Sequence, residues 1–169
     1  MEPFASRADF EPFEAQMHQS TDPYYLEIKA KTSGQILGSF ALMRIDRHNR
    51  TLEMGWVVYS TALQRTRMAT EAQYLVMKYV FETLGYRRYE WKCDALNAPS
   101  RHAAERLGFR YEGTFRQMQV YKNRTRDTAW FSLLDHEWHA NKIRLERWLD
   151  KANFDQNGRQ IEPLQGVGF

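Results

Sequence analysis

Scarce cysteine and the absence of a long apolar run limit what this chain of 169 residues can be. Its single cysteine, Cys93, excludes an internal disulfide and favours a reducing compartment. No stretch approaches the roughly 20 apolar residues that span a bilayer, and the first four residues begin neither a basic n-region nor an apolar h-region. We therefore predict a cytoplasmic protein with no membrane partner.

Signatures of metal and nucleic-acid binding are also missing. His136 and His139 stand three residues apart, but no cysteine or third histidine lies at a recognised ligand spacing, so we predict no metal site. Net charge is +3 and the pI is about 9.0, yet the arginines are spread over separate turns without a continuous basic run. Nucleic acid is disfavoured as a partner, and the pI alone supports the alternative of a basic RNA- or ribosome-associated protein.

The amino-acid composition and the length of the chain are typical of one folded domain. Hydrophobic residues make up 43% of the chain and charged residues 27%, which are values typical of globular proteins. A chain of this length buries about two-thirds of its unfolded surface, which is enough for one sizeable core. We predict a single domain over residues 1–150 and a loosely ordered C-terminal tail over residues 151–169.

Residues 51–85 organise the rest of the chain as strand, turn and helix. Apolar residues alternate with others over residues 51–59, and from Met68 they recur at three- and four-residue spacing until Gly85. The first N–H groups of a helix lack internal partners, and the helix dipole places positive charge there. A strand-to-helix turn of small residues therefore suits a phosphate, although an ordinary helix start with solvated arginines has the same pattern.

Patterning elsewhere predicts the remaining elements. Ser6 is suited to cap an N-terminal helix, whose middle Pro12 is expected to disturb. The strand at 88–94 and the helix at 97–107 repeat the strand-helix order, so strands 51–59 and 88–94 should run parallel and side by side. The other predicted elements are strands over 24–31, 36–45, 109–121 and 127–134 and an amphipathic helix over 136–149.

The turn reads Gln64-Arg65-Thr66-Arg67-Met68-Ala69, which resembles the pyrophosphate-loop motif of the GNAT acetyltransferases, [Gln/Arg]-x-x-Gly-x-[Gly/Ala]. Arg67 stands where that motif usually has glycine, and an ordinary helical conformation at Arg67 would still present its N–H. A second stretch runs from Asn97 through Ser100 to Leu107-Gly108-Phe109 and Glu112-Gly113. It looks like the Asn-x-x-Ser…Leu-Gly-Phe…Glu-Gly signature of the branch that includes the RimJ and RimL N-terminal acetyltransferases. The resemblance covers about residues 24–150.

The resemblance implies an α/β fold, α+β in some schemes, with a mixed and mostly antiparallel central sheet flanked by helices. In GNAT folds the two parallel strands splay apart, and the pantetheine of the donor lies in that opening. Members of this branch usually begin with a further strand and helix, for which this sequence has no residues. The sheet edge beside strand 24–31 is therefore expected to be exposed, covered by the N-terminal helix or paired in a homodimer.

The resemblance also implies which residues bind acetyl-CoA. Backbone groups of Trp56, Val57 and Val58 would pair with the pantetheine and hold the acetyl carbonyl, and Asn97 would hydrogen-bond the pantetheine arm. Ser100 is the family's candidate for protonating the departing thiolate. The pyrophosphate would bind at Gln64, Arg65, Thr66, Arg67, Met68, Ala69 and Thr70.

A general base is harder to choose. Glu53 lies on the first strand of the parallel pair and Glu112 on a facing strand, and each could instead be a surface carboxylate or a salt-bridge partner. In relatives with a proposed glutamate on the strand after Glu-Gly, the corresponding residue here is Gln119, which cannot act as a base. We predict Glu53, directly or through water, and expect Glu53→Gln to lower turnover more at pH 7 than at pH 9.

The sequence thus predicts an N-acetyltransferase that moves acetyl from acetyl-CoA to a primary amine by direct attack in a ternary complex. The acceptor, a protein N-terminus or a small-molecule amine, is not fixed by the resemblance, because one fold serves many acceptors. The alternative is a CoA-binding regulatory module without catalysis. Arg67, Gln119 and the missing N-terminal elements favour that alternative.

Overall fold

The computed structural model describes residues 4–164. In that part of the chain, four α-helices and six strands follow one another, with a π-helical turn at Tyr79–Thr83 after α2 and a short 3-10 helix at Lys151–Asn153 after α4. In chain order they are α1 (Arg7–Gln19), β1 (Tyr24–Lys29), β2 (Ile36–Asp46), β3 (Thr51–Tyr59), α2 (Arg67–Lys78), β4 (Arg88–Asp94), α3 (Ala98–Leu107), β5 (Arg110–Tyr121), β6 (Arg124–Leu134) and α4 (Asp135–Leu149).

Helix ends follow the capping residues that the sequence offers. The Ser6 hydroxyl accepts a hydrogen bond from the Asp9 N–H at the start of α1, as predicted. The expected disturbance at Pro12 does not interrupt α1, which is continuous from Arg7 to Gln19, and the rings of Phe10 and Phe13 on either side of Pro12 lie 6.0 Å apart.

All six strands form one sheet in the order β1-β2-β3-β4-β6-β5. Neighbouring strands are antiparallel except β3 and β4, which are parallel, as predicted. Their pairing runs only from Thr51 opposite Arg88 to Met54 opposite Trp91. Beyond it Trp56 has φ +51° and the register with β2 shifts, which marks a bulge that bends β3 away from β4. The predicted splayed parallel pair is therefore confirmed.

The hydrophobic core lies between one face of the sheet and the helices α2, α3 and α4. In β4 every second residue is buried, and Tyr89, Trp91 and Cys93 point to this core as predicted. The other face of β4 carries the charged alternates Arg88, Glu90, Lys92 and Asp94. The largest side chains that are almost fully buried in the core include Tyr89, Phe109, Phe131, Leu52, Met54, Leu63 and Met77.

Strands β1 and β5 form the two edges of the sheet. The N-terminal helix lies near the β1 edge, where the Phe13 ring is 6.1 Å and the Tyr25 ring 6.2 Å from the ring of Trp56. No helix within residues 4–164 combines the length and the apolar composition that crossing a membrane requires.

Residues 150–164 fold back on α4, in contrast to the loose order expected of them. Phe154 pairs with Gln160 in a β-bridge, and its ring is 5.1 Å from that of Trp148. Asn153 ties the segment together, because its side chain donates to the Trp148 carbonyl at 3.0 Å and accepts from the Glu162 N–H at 2.8 Å. We call residues 150–164 the C-terminal segment. The predicted loose order of residues 165–169 lies outside the described residues.

Candidate active site

Two cavities open on either side of the gap between β3 and β4. The first, about 1310 Å³, runs along the starts of α2 and α3 to the C-terminal segment, and we call it the helix-side cavity. The second, about 710 Å³, lies between the ends of β3 and β4 and the β5–β6 hairpin, and we call it the hairpin-side cavity. Both are lined by Val57, Trp91, Asn97 and Ser100, so they adjoin at the gap.

The turn into α2 forms one wall of the helix-side cavity, and all seven residues from 64 to 70 line it. Gln64 ties this turn to the end of β3, because its side-chain amide donates to the Tyr59 carbonyl at 3.0 Å. Thr66 caps α2: its hydroxyl accepts from the Ala69 N–H at 3.2 Å and donates to the Leu63 carbonyl at 2.7 Å. The start of α2 therefore faces the cavity, which is the arrangement that favours an anion.

Arg67 occupies the motif's glycine position without an unusual backbone, because it begins α2 in the ordinary helical region. Its side chain points to the end of α4, where the guanidinium donates to the Leu149 carbonyl and lies 5.2 Å from the centre of the Phe154 ring. Arg67 therefore attaches the C-terminal segment to the turn. Through this contact Phe154, Arg159 and Gln160 become part of the cavity wall.

A second arginine adds positive charge to the helix-side cavity. Arg106 donates to the Thr70 hydroxyl at 3.1 Å, and its guanidinium lies 4.8 Å from the centre of the Trp148 ring. Burial lowers the pKa of Arg106 below its ordinary value. A partly buried guanidinium beside the start of α2 would gain from a bound polyanion.

Asn97 and Ser100 lie at the junction of the two cavities. Asn97 caps α3 as predicted, since its side-chain oxygen accepts from the Ser100 N–H at 3.1 Å. The Ser100 hydroxyl accepts from the Trp91 indole N–H at 3.0 Å. Burial raises the pKa of the neighbouring Cys93 thiol, and a hydrogen bond with Ser100 opposes that rise. The junction therefore combines a hydroxyl, an amide and a protonated thiol.

The three β3 residues with predicted backbone roles are distributed unevenly around the gap. Trp56 lines the hairpin-side cavity and Val57 lines both cavities. Val58 lines neither of them and lies opposite Ser39 of β2. Because β3 does not pair with β4 beyond Met54, its edge is open along this stretch.

The structure does not bring Glu53 to either cavity. Its side chain is only 6% exposed, receives a hydrogen bond from Arg44 and pairs with Lys92 at 2.9 Å. Glu112 forms an ion pair with Arg88 at 2.6 Å, and hydrogen bonds from Arg88 lower its pKa. Both candidate bases thus take part in ion pairs, and the role of Glu53 stays a prediction.

Sequence reasoning missed most of the hairpin-side cavity. Gln119, Tyr121, Arg124 and Arg126 line it from the hairpin, opposite Asp94 at the end of β4. The hairpin residues are far from Asp94 in sequence and meet it only because β6 pairs with β4, so no local motif signals the cavity. Among residues 4–164 no group of three or more histidine, cysteine, aspartate or glutamate side chains is placed to hold a metal ion.

Comparison with known proteins gives the family. Residues 2–110 match the family model described as Acetyltransferase (GNAT) domain. A solved GCN5-related N-acetyltransferase from Brucella melitensis is 51% identical in sequence to this chain, with a TM-score of 0.94. The match covers 97% of this chain and 74% of the Brucella chain.

Curated relatives are more distant. The "Uncharacterized N-acetyltransferase p20" of Bacillus licheniformis is 30% identical over 111 residues, 66% of this chain. The "Putative ribosomal N-acetyltransferase YdaF" of Bacillus subtilis is 29% identical over 109 residues, 64% of this chain. The chain spans only 62% and 59% of the lengths of these two relatives. The family match and the shared fold together show that the chain belongs to the GNAT acetyltransferases and is RimJ-like.

Proposed function

We propose that this protein transfers acetyl from acetyl-CoA to a primary amine by direct attack in a ternary complex. The observation that carries the proposal is the pair of cavities that adjoin at the gap between β3 and β4. An acyl transfer without an enzyme-bound intermediate needs donor and acceptor held at one point from two sides. The helix-side cavity suits the donor and the hairpin-side cavity suits the acceptor.

The helix-side cavity suits acetyl-CoA because it combines helix starts with basic side chains. Residues 64–70 are proposed to bind the pyrophosphate through the first N–H groups of α2, with Arg65 and Arg106 adding charge. Backbone groups of Trp56, Val57 and Val58 are proposed to hold the pantetheine and the acetyl carbonyl. The amide of Asn97 would bind the pantetheine arm from the opposite side of the gap.

At the junction, Ser100 is proposed to donate a proton to the departing thiolate. Its oxygen accepts from the indole of Trp91, which can only donate, so the hydroxyl proton points to another acceptor. In the protein without donor that acceptor is the Cys93 sulfur, and the thiolate would take its place during the reaction. The amine attacks the thioester carbonyl, its nitrogen gains the acetyl group and loses a proton, and the thiol leaves protonated.

Glu53 is retained as the proposed acceptor of the amine's proton, acting through water, because its partner Lys92 lines the hairpin-side cavity. We expect Glu53→Gln to lower kcat more at pH 7 than at pH 9. The matched control is Glu90→Gln, which removes the other carboxylate that Lys92 pairs with, at 2.7 Å, and so changes the same charge balance. An equal loss at both pH values, or the same profile in both variants, would argue against Glu53 as base.

The donor site is tested by thermal unfolding with and without acetyl-CoA. A ligand at a hundred times its Kd stabilises the native state by about 2.7 kcal/mol, which raises Tm by a few degrees for a chain of this size. Asn97→Asp is the sharpest variant, because aspartate still caps α3 but lacks the amide N–H that would bind pantetheine. We expect a smaller Tm rise in this variant.

Catalysis is tested by following thiol release from acetyl-CoA in the presence of a panel of primary amines. Release that requires an amine supports the transfer. A rise in Tm with acetyl-CoA but no release with any amine would instead indicate a CoA-binding module without catalysis.

A further inference from the structure

Charge in the hairpin-side cavity comes from four residues, and three of them are paired. Lys92 lies between Glu53 and Glu90, at 2.9 and 2.7 Å. Asp94 forms an ion pair with Arg124. The fourth residue is Arg126, which lines the cavity and forms no salt bridge with any carboxylate within residues 4–164.

Arg126 is held in place despite having no carboxylate partner. Its Nε is buried without a hydrogen-bond partner, and its guanidinium lies 5.9 Å from the centre of the Tyr121 ring. Burial raises the pKa of Cys93, and the positive charge of Arg126 opposes that rise. Arg126 is therefore close enough to the junction to affect a side chain that contacts Ser100.

Arg126 is half-buried and its charge helps to lower the pKa of Asp94, but the two side chains form no salt bridge. Guanidinium groups lose hydration on burial and regain the lost free energy from a carboxylate that can accept two parallel hydrogen bonds. In this cavity the other lining charges already have opposite partners. A ligand carboxylate would give Arg126 the directly hydrogen-bonded anion that it lacks.

We propose that the acceptor is an amine that also carries a carboxylate, which binds Arg126 while the amino group reaches the junction at Ser100. This inference rests on the proposed function, because it names the acceptor class of the same site. The carboxylate is unchanged by the reaction: only the N–C bond forms and the C–S bond breaks. Polyamines are disfavoured, since a second ammonium group would meet the unpaired guanidinium.

The test compares amino acids with their own carboxamides as acceptors, by thiol release. Each pair presents the same carbon skeleton with and without the negative charge. The variant is Arg126→Gln. The matched control is Arg116→Gln, which removes an exposed arginine from β5 of the same hairpin, at a position that lines neither cavity.

We expect the parent to prefer carboxylates and Arg126→Gln to lose about 10- to 100-fold in kcat/KM for them, the range of one charge-assisted hydrogen bond. The loss for carboxamides should stay below about twofold, and Arg116→Gln should resemble the parent with both acceptors. Arg126→Lys keeps the charge without the forked geometry, so its loss should be intermediate.

A second readout does not depend on turnover. The N-acetylated amino acid product should raise Tm of the parent and of Arg116→Gln, but not of Arg126→Gln. Equal losses for carboxylates and carboxamides, or a parent that prefers polyamines or uncharged peptides, would overturn the carboxylate-bearing acceptor while leaving the transferase intact. No thiol release with any amine, despite a Tm rise with acetyl-CoA, would overturn the proposed function and this inference together.

Discussion

The two cavities beside the parallel strands differ in the groups that line them: main-chain groups of a turn in one, charged side chains in the other. One side of the helix-side cavity is a contiguous turn, residues 64–70, whose backbone is fixed by the Thr66 cap and the Gln64 hydrogen bond. The hairpin-side cavity depends on charged side chains of β4 and β6, namely Lys92, Asp94, Arg124 and Arg126. A main-chain site tolerates a changed side chain, whereas a site of paired charges fails when one partner is lost. The predictions below test this contrast.

The largest expected effect comes from Lys92→Met on the charged side. Lys92 is 8% exposed and separates Glu53 from Glu90, so its loss leaves these carboxylates facing each other with only Arg44 and Arg88 as partners. We expect the free energy of unfolding to fall by about 3–5 kcal/mol, measured by denaturant titration. Lys31→Met, at an exposed loop position, is the control and should cost under about 0.5 kcal/mol. A small loss of unfolding free energy in Lys92→Met would mean that these ion pairs do not stabilise the hairpin-side cavity.

Arg67→Ala tests the helix-side cavity, where binding is expected to depend on the main chain. The variant loses the hydrogen bond to the Leu149 carbonyl and the contact with Phe154. We expect the free energy of unfolding to fall by about 2 kcal/mol, with faster proteolysis after residue 150. The Kd for acetyl-CoA should change by less than about threefold, because the helix start remains. A loss of affinity much larger than that would show that the side chain itself binds the donor.

Arg65→Glu tests how much side-chain charge, as opposed to backbone N–H groups, contributes to acetyl-CoA binding at the same turn. Arg65 is exposed and lines the helix-side cavity, so reversal of its charge should weaken acetyl-CoA binding about tenfold at low salt, and less at high salt. Stability should be unchanged. Calorimetric titration gives the Kd, and Arg116→Glu, on β5, is the matched charge reversal that should leave the Kd unaltered.

The smallest expected effect is the loss of stability in Glu112→Gln, which should depend on pH. Hydrogen bonds from Arg88 lower the pKa of Glu112, so its contribution to stability is present above the unfolded pKa and disappears as pH falls through the lower folded value. The carboxylate is 39% exposed, so Glu112→Gln should cost under about 1 kcal/mol at pH 7. As the pH falls below the ordinary carboxyl range, the difference in stability between the variant and the parent should shrink, as measured by denaturant titration. A constant difference across this range would assign the effect to packing.

The same contrast explains how much the sequence could predict. Strand β3, the turn, the Asn97 cap and the parallel pair follow from periodicity, capping residues and chain connectivity, which act over short distances. The π-helical turn was missed, because Leu84 donating to the Tyr79 carbonyl depends on how the end of α2 packs and not on a residue pattern.

The charged cavity and the C-terminal segment could not be predicted for a related reason. Arg126 faces the end of β4 only because β6 pairs with that strand, and Arg67 meets Leu149 across 82 positions. Contacts of that separation are set by tertiary packing, which a single sequence does not encode locally. The sequence motifs cover the donor turn and leave the acceptor side undescribed.

Arg67, at the start of α2, also affects which sequence patterns will detect relatives of this protein. Its backbone is helical, and its side chain reaches away to the end of α4. In this turn glycine is therefore one of several admissible residues. A sequence pattern that demands glycine discards such chains, whereas a search by backbone torsion angles retains them. Chains with a bulky residue at this position should be inspected for an additional segment beyond their last helix.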